Sequence, residues 1–225
     1  MSEISSLVYP KKSHRKFVNI PKYSESLAEF FGLMMGDGGI NNPWQVNITL
    51  NAVKDRNYAD YIIRLCQSLF GITPAVRKRK TSQALVVCLA STTIVDFLVN
   101  EGLPRGNKLE NGLKIPEWIL NKKSYRIACI RGLMDTDGGL YVHKHLVLGK
   151  KYNNIGLCFC SHSLDLISQV ASILKENKIE PHIEGWGQKI YLYKEDDIIK
   201  YLKVFGTSND RISSVYNNWK IARVV

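Results

Sequence analysis

Apolar residues recur at three- and four-residue intervals over Leu27, Phe30, Phe31, Met34 and Met35. That period predicts a helix capped by Ser24 or Ser26 and stopped at Asp37, Gly38 and Gly39, because consecutive glycines end helices. After a turn at Asn42 and Pro43, the segment QVNITLN alternates strictly and predicts a strand over residues 45–51. Its wet face carries Gln45, Asn47, Thr49 and Asn51, with Val46, Ile48 and Leu50 opposite. A helix over about 54–70, closed by Gly71, follows. Then come a hairpin of strands 75–80 and 84–90 and a helix from Ser91 to about Glu101, ending at Gly102. Residues 102–120 are rich in Gly, Pro and Asn and read as a connection, with a short helical turn opened by Pro116. Beyond it the order returns: a helix over 124–135, strands near 140–142 and 155–160, a helix near 164–177, a hairpin near 182–192 and a helix near 196–204.

The repetition extends to the letters. GLMMGDGG at residues 32–39 and GLMDTDGG at 132–139 agree at six of eight positions. Repeated units of about a hundred residues indicate a duplicated domain, since the units of solenoids are several-fold shorter. The division expected is a basic arm (1–24), a first half (25–103), a linker (104–123) and a second half (124–225). In each copy two small residues stand four apart on one helix face, Gly32 with Gly36 and Gly132 with Thr136, so two backbones can pack closely side by side. Helices paired in this way release Asp37 and Asp137 together, beside the unpaired carbonyls of their last turns. A single Asp-Gly-Gly is no more than a helix stop. Two of them at one centre are carboxylates that repel unless a cation joins them, and hard oxygen ligands suit magnesium. Metal-assisted phosphodiester chemistry is the expectation.

Charge supplies the substrate class. Thirty-one Lys and Arg against twenty Asp and Glu give a formal net charge of +11, which favours a polyanionic partner. One basic tract, KKSHRK, occupies residues 11–16. On the predicted hairpin, Arg77 and Arg79 have the reach and geometry for guanine, while Lys78 and Lys80 suit phosphate. Their counterparts in the second half are His182, Glu184, Trp186, Lys189, Tyr191 and Tyr193. Five scattered cysteines without CxxC spacing argue against zinc and against a disulfide framework. Cys158 and Cys160 read as packing or sheet-face residues, and His143 and His145 form an HxH pair with no third ligand nearby in sequence. No apolar run approaches the roughly 18 residues of a membrane span, and the N-terminus has no signal-peptide core. A soluble, intracellular protein without a membrane partner is expected.

The two repeated stretches, FFGLMMGDG at 30–38 and IRGLMDTDG at 130–138, resemble the LAGLIDADG motif of homing endonucleases. KIPEWI at 114–119 is similar to the inter-domain segment of single-chain members. The resemblance implies an α/β (α+β) fold: two pseudo-symmetric αββαββα halves, in a monomer whose β-saddle straddles duplex DNA. It implies a site-specific endonuclease making a staggered double-strand cut in a long target by metal-dependent phosphodiester hydrolysis. Mg2+ is the implied ion, with Mn2+ a substitute and Ca2+ supporting binding without cutting. Its implied ligands are Asp37, Asp137 and the main-chain carbonyls of Gly36 and Thr136. A peripheral lysine that orders water corresponds to Lys108 in the first half. In the second half the loop SNDRISS offers Arg211 as the nearest basic residue. Asn51 and Cys160 fall at positions that hold water in many members. An intron RNA maturase and a DNA-binding protein that does not cut are the alternatives on the same fold. An intein-embedded nuclease fits less well, because no splice-start Cys or Ser and no terminal His-Asn is present. No appended helix-turn-helix is evident.

Overall fold

Ser24 Oγ accepts a hydrogen bond from the Leu27 N–H and begins α1 (Glu25–Met35) in the computed structural model, which describes residues 17–79 and 82–222. The basic tract at 11–16 and Lys80 lie outside the described residues. The first half continues with β1 (Gly38–Asn42), β2 (Gln45–Asn51), α2 (Arg56–Phe70), β3 (Ala75–Lys78), β4 (Ala84–Ala90) and α3 (Thr92–Asn100). After the one-turn α4 (Glu117–Leu120), the second half runs through α5 (Lys123–Asp137), β5 (Gly138–Val147), β6 (Lys150–Cys160) and α6 (Leu164–Glu176). It closes with β7 (His182–Ile183), β8 (Lys189–Leu192), α7 (Glu195–Val204) and α8 (Asp210–Ile221).

Each half builds one four-stranded antiparallel sheet, with orders β1-β2-β4-β3 and β5-β6-β8-β7. One face of each sheet carries the core. Val46, Ile48, Val87 and Leu89 supply it in the first half, and Ile155, Leu157, Phe159 and Ile190 in the second. The helices cover these faces and leave the opposite faces open.

Four elements depart from the sequence reading. β1 has no alternation to reveal it; GGINN becomes a strand because β2 offers it partners, with Gly38 opposite Ile48 and Gly39 opposite Asn47. β5 and β6 extend well past the expected strands, as polar residues 143–154 complete a long hairpin with no core behind most of it. α8 replaces an expected loop. Its only buried residues are Ile212 and Trp219, too sparse a stripe to give a helical period.

The two motif helices pack side by side, and the glycines set the distance. A Cβ on Gly32 would stand 2.1 Å from Cys129 O, and one on Gly132 would stand 2.2 Å from Glu29 O. These are the same contact seen from each side of the pseudo-dyad, since Glu29 and Cys129 are equivalent positions. One turn on, a Cβ at Gly36 would meet Thr136 Oγ1 at 2.0 Å. All four residues expected at the helix interface therefore meet there.

Each half also sends its trailing segment across to the other. Residues 113–115 dock on the second half, where Ser163 Oγ donates to Leu113 O (2.6 Å) and Gln169 Oε1 accepts from Ile115 N (2.7 Å). In return, the segment after α7 docks on the first half through Ser208 and Asn209. Among the described residues, no helix is long and apolar enough to cross a membrane.

Candidate functional site

Asp37 and Asp137 emerge at the adjoining ends of α1 and α5, as the paired glycines require. The two helices do not end alike. α1 stops at Met35 with Gly36 turning out of helical geometry (ψ −98°), whereas α5 continues through Asp137. The backbone of Asp37 is pinned to the sheet by Thr49 N–H, which donates to Asp37 O at 3.1 Å. Across the dyad, a Cβ on Gly36 would lie 3.4 Å from Asp137 Cγ, so this carboxyl sits against the end of the opposite helix.

Both acids are largely buried. Burial first, then the charges of Asp137 and Asp55, push Asp37 up to about 6, against the pull of Lys108 and Arg211. Burial likewise raises Asp137, with Lys108 opposing it. Lys108 reaches in from the trailing segment of the first half and donates from Nζ to Met35 O (2.8 Å) and Gly36 O (2.5 Å). Burial lowers its pKa while Asp137 and Asp37 hold it up. The end of α1 is thus a cation seat: two main-chain carbonyls already accept from an ammonium, and two carboxylates lie beside it. Among the described residues no group of three or more His, Cys, Asp or Glu side chains is placed to hold a metal. The donor set at this centre is two carboxylates plus main-chain oxygen, a hard-oxygen set that fits magnesium and excludes a zinc-type cage.

Arg211 stands on the first turn of α8 rather than in a loop. Its Nε is 3.1 Å from Asp55 Oδ1, so its charge is already paired, unlike that of Lys108. Asn209 Nδ2 bridges Asp55 Oδ1 (3.2 Å) and Asp135 O (3.0 Å). The buried Asp135 carboxylate accepts from Thr207 Oγ1 and from Ser208 N (2.7 Å). Burial nevertheless pushes its pKa up to about 7, against those two donors. Glu29, also buried, accepts two hydrogen bonds from Arg131 (2.7 and 2.9 Å), one from Tyr61 (2.6 Å) and one from Ser208 Oγ (2.8 Å). This network ties α1, α2, α5 and the segment 205–211 together directly behind the carboxylates. Sequence reasoning missed it. The available signals were Glu29, the one charged residue in an otherwise apolar run, and Asp135, which answers Met35 in the repeat.

Breaking the pair from the cationic side leaves the Glu29 charge buried with two hydroxyl donors only. Arg131→Met is expected to destabilise the fold by about 3 kcal/mol. Urea unfolding at neutral pH reads this directly, and a loss under about 1 kcal/mol would mean that the pair contributes as little as a surface ion pair.

The open sheet faces hold most of the residues singled out for nucleic acid. In the first half, a cavity of about 420 Å³ is lined by Asp37, Asn41, Asn47, Thr49, Arg77 and Arg79. Gln45 lies on the same face, its Oε1 accepting from the Cys88 thiol at 3.8 Å. Asn51 is not brought into that cavity; its Oδ1 accepts from Val53 N and Lys54 N (both 3.0 Å) and shapes the turn into α2. Lys78, opposite Leu85, points to the other face. In the second half, a cavity of about 380 Å³ is lined by Lys108, Asp137, Cys160, His162, Gln188 and Lys189. Next to it Tyr191 stacks on Tyr193 (5.4 Å between centroids) and His182 tilts against Tyr193 (5.6 Å). Glu184 pairs with Lys189 at 3.3 Å. Trp186 stands off the ladder, 86% exposed in the β7–β8 turn. His143 and His145 stack at 5.0 Å, and among the described residues they belong to no group of three or more His, Cys, Asp or Glu that could hold a metal. All five cysteines are free.

Two pseudo-symmetric halves, each with one four-stranded sheet and a motif helix at the shared axis, define the fold of single-chain LAGLIDADG homing endonucleases. Solved structures of that class are similar to this chain over most of its length. I-DmoI, solved with DNA and Mn, is 18% identical at a TM-score of 0.55, covering 82% of this chain and 98% of its own. The meganuclease I-SmaMI, bound to uncleavable DNA, is 14% identical at 0.60, covering 90% and 92%. The LAGLIDADG homing endonuclease I-LtrWI, bound to target DNA, is 12% identical at 0.60, covering 88% and 89%. At these identities the likeness is one of fold. No family model matches the chain.

Proposed function

We propose that the protein is a site-specific DNA endonuclease that makes a staggered double-strand cut in a long duplex target and depends on a divalent metal. The observation that carries this reading is the pair of half-buried carboxylates, Asp37 and Asp137, at the adjoining ends of two helices, with carbonyl oxygens already serving a cation. A merely structural junction gains nothing from two acids whose pKa values are both raised; a site for a cation does. The basic balance of the chain and the open polar sheet faces support duplex DNA as the substrate. So do the bound states of the fold's neighbours: I-DmoI in complex with DNA and Mn, and I-SmaMI and I-LtrWI bound to DNA.

Asp37 and Asp137 would hold the ion, Mg2+ or Mn2+, together with Gly36 O and, by the repeat, Thr136 O. Once bound, it supplies charge neutralisation at the scissile phosphate and a more acidic water. The chain's own groups do the rest. Lys108, partly buried beside Asp137 and Asp37, would orient a water and stabilise negative charge that grows on phosphate oxygens. Arg211, paired with Asp55, adds a fixed positive charge on the Asp37 side but is no proton acceptor. The two centres are therefore chemically unequal. Asn47, Thr49, Arg77 and Arg79 face the first half-site with amides and guanidinium groups suited to base edges. Lys189, Tyr191, Tyr193 and His182 face the second. The internal pseudo-dyad lets one chain address both strands as a monomer.

Supercoiled plasmids carrying random inserts test this reading. With magnesium, a minority should be linearised at discrete points. With calcium the same plasmids should be retained but uncut, and chelation should abolish cutting. Cutting that persists in chelator would refute the metal-dependent site.

A further inference from the structure

The β5–β6 hairpin is built beyond what its sheet needs. β5 and β6 span ten and eleven residues, but β8 pairs only with Leu157–Cys160, so residues 150–156 of β6 are bonded on one side alone. The overhang is braced. Trp219 of α8, itself buried, donates from Nε1 to Asn153 O at 2.8 Å. Along one face His143, His145 and Tyr152 stack in series at 5.0 and 5.4 Å. This is a stiffened arm.

Its tip is Leu146-Val147-Leu148-Gly149, and all three apolar residues are exposed. Leu148 is 98% exposed and adopts φ +49°, in the left-handed region, followed by Gly149 at +75°. A two-residue turn of this geometry favours Asn-Gly, because a leucine there is strained and gains no burial in return. Strain held at an exposed apolar residue points to a contact made elsewhere. Around the tip stand Lys144, Lys150 and Lys151, all exposed; residues 143–152 contain no acid. That combination favours a polyanion over a protein groove or an uncharged surface.

We propose that this arm extends the DNA footprint of the second half and that Leu148 enters the duplex as an apolar wedge that loosens base stacking, with the three lysines on the flanking phosphates. Apolar side chains used in this way kink DNA at flexible steps. The reach is suitable. Ten residues of strand starting next to Asp137 span roughly 33 Å, about ten base pairs at 3.4 Å each. The five residues of β1 cover about half that distance on the other side. The footprint is accordingly lopsided, longer on the half that carries Asp137. The inference rests on the reading of the protein as a duplex-binding enzyme.

The test uses the full chain, calcium, and a random-sequence duplex in which 2-aminopurine replaces part of the adenine. Wild type should raise the 2-aminopurine fluorescence on binding. Leu148→Asn, which relieves the turn, should melt no lower than wild type yet bind about ten-fold more weakly and leave the fluorescence flat. The triple variant Lys144→Gln, Lys150→Gln, Lys151→Gln should reduce the slope of log K against log salt by about 2.7, three phosphates' worth. If wild type binds and both variants match it in affinity, slope and fluorescence, the arm is not on the DNA and the inference fails while the endonuclease reading stands. If wild type binds no duplex at all, both fall together.

Discussion

Asp37→Asn is expected to end double-strand cutting while making the protein more stable. The loss of activity should exceed about a thousand-fold, or about 4 kcal/mol of transition-state stabilisation, because one of the two carboxylates proposed to hold the ion is gone. DNA retention in calcium should survive, since the proposed contacts lie on the sheets. The stability gain follows from linkage. Asp37 binds its proton more tightly in the folded protein than in the unfolded chain, so ionising it opposes folding. The stabilisation present below pH 3.8 is lost as the pH rises through about 6. At pH 8, without metal, the Asn variant should be more stable than wild type by about 3 kcal/mol. The difference should vanish below pH 4. Magnesium should stabilise wild type by mass action and leave the variant unmoved. Asp137→Asn should behave in the same way with a gain in the same direction, as burial raises that acid too. A variant that is destabilised at pH 8 would show that Asp37 is a structural group, and the site assignment would fall with it.

The second large effect is steric. Gly32→Ala ought to stabilise an ordinary helix interior by up to about 1 kcal/mol. Here the new methyl would stand 2.1 Å from Cys129 O, a main-chain atom that no rotamer change can move. The helices must separate, and we expect a net loss of about 3 kcal/mol or more. Gly132→Ala, against Glu29 O at 2.2 Å, should cost a similar amount. The matching control is Gly39→Ala, where the nearest atom to the new Cβ is the Asn41 amide at 3.9 Å. That variant should unfold within about 0.5 kcal/mol of wild type. Denaturant midpoints compare the three. If Gly32→Ala unfolds at the same midpoint as Gly39→Ala, the helices do not pack on these glycines.

The sequence was most readable where one rule acted alone. The Ser24 cap, the helix start at Ser91, the alternation of β2 and the glycine after α2 each have a local cause, and each stands where its residues placed it. The central acids were legible because duplication marked them twice. What stayed hidden depends on partners distant in the chain. Glu29 meets Arg131 across the dyad, and Asp55 meets Arg211 from the far end of the second half. Neither pairing has a local pattern. The same is true of β1, whose glycines become a strand only against β2, and of the exposed half of the β5–β6 hairpin. Lys108 was placed by resemblance. The structure adds that its ammonium sits on Met35 O and Gly36 O, the latter the oxygen expected to serve the ion.

The most direct test of the central claim is to digest a randomised duplex library with magnesium and sequence both ends of every product. One long consensus with a constant stagger, absent from parallel reactions with Asp37→Asn or Asp137→Asn, is the predicted outcome. Intact duplex recovered from every magnesium reaction, or cuts that persist unchanged in either Asn variant, would contradict it.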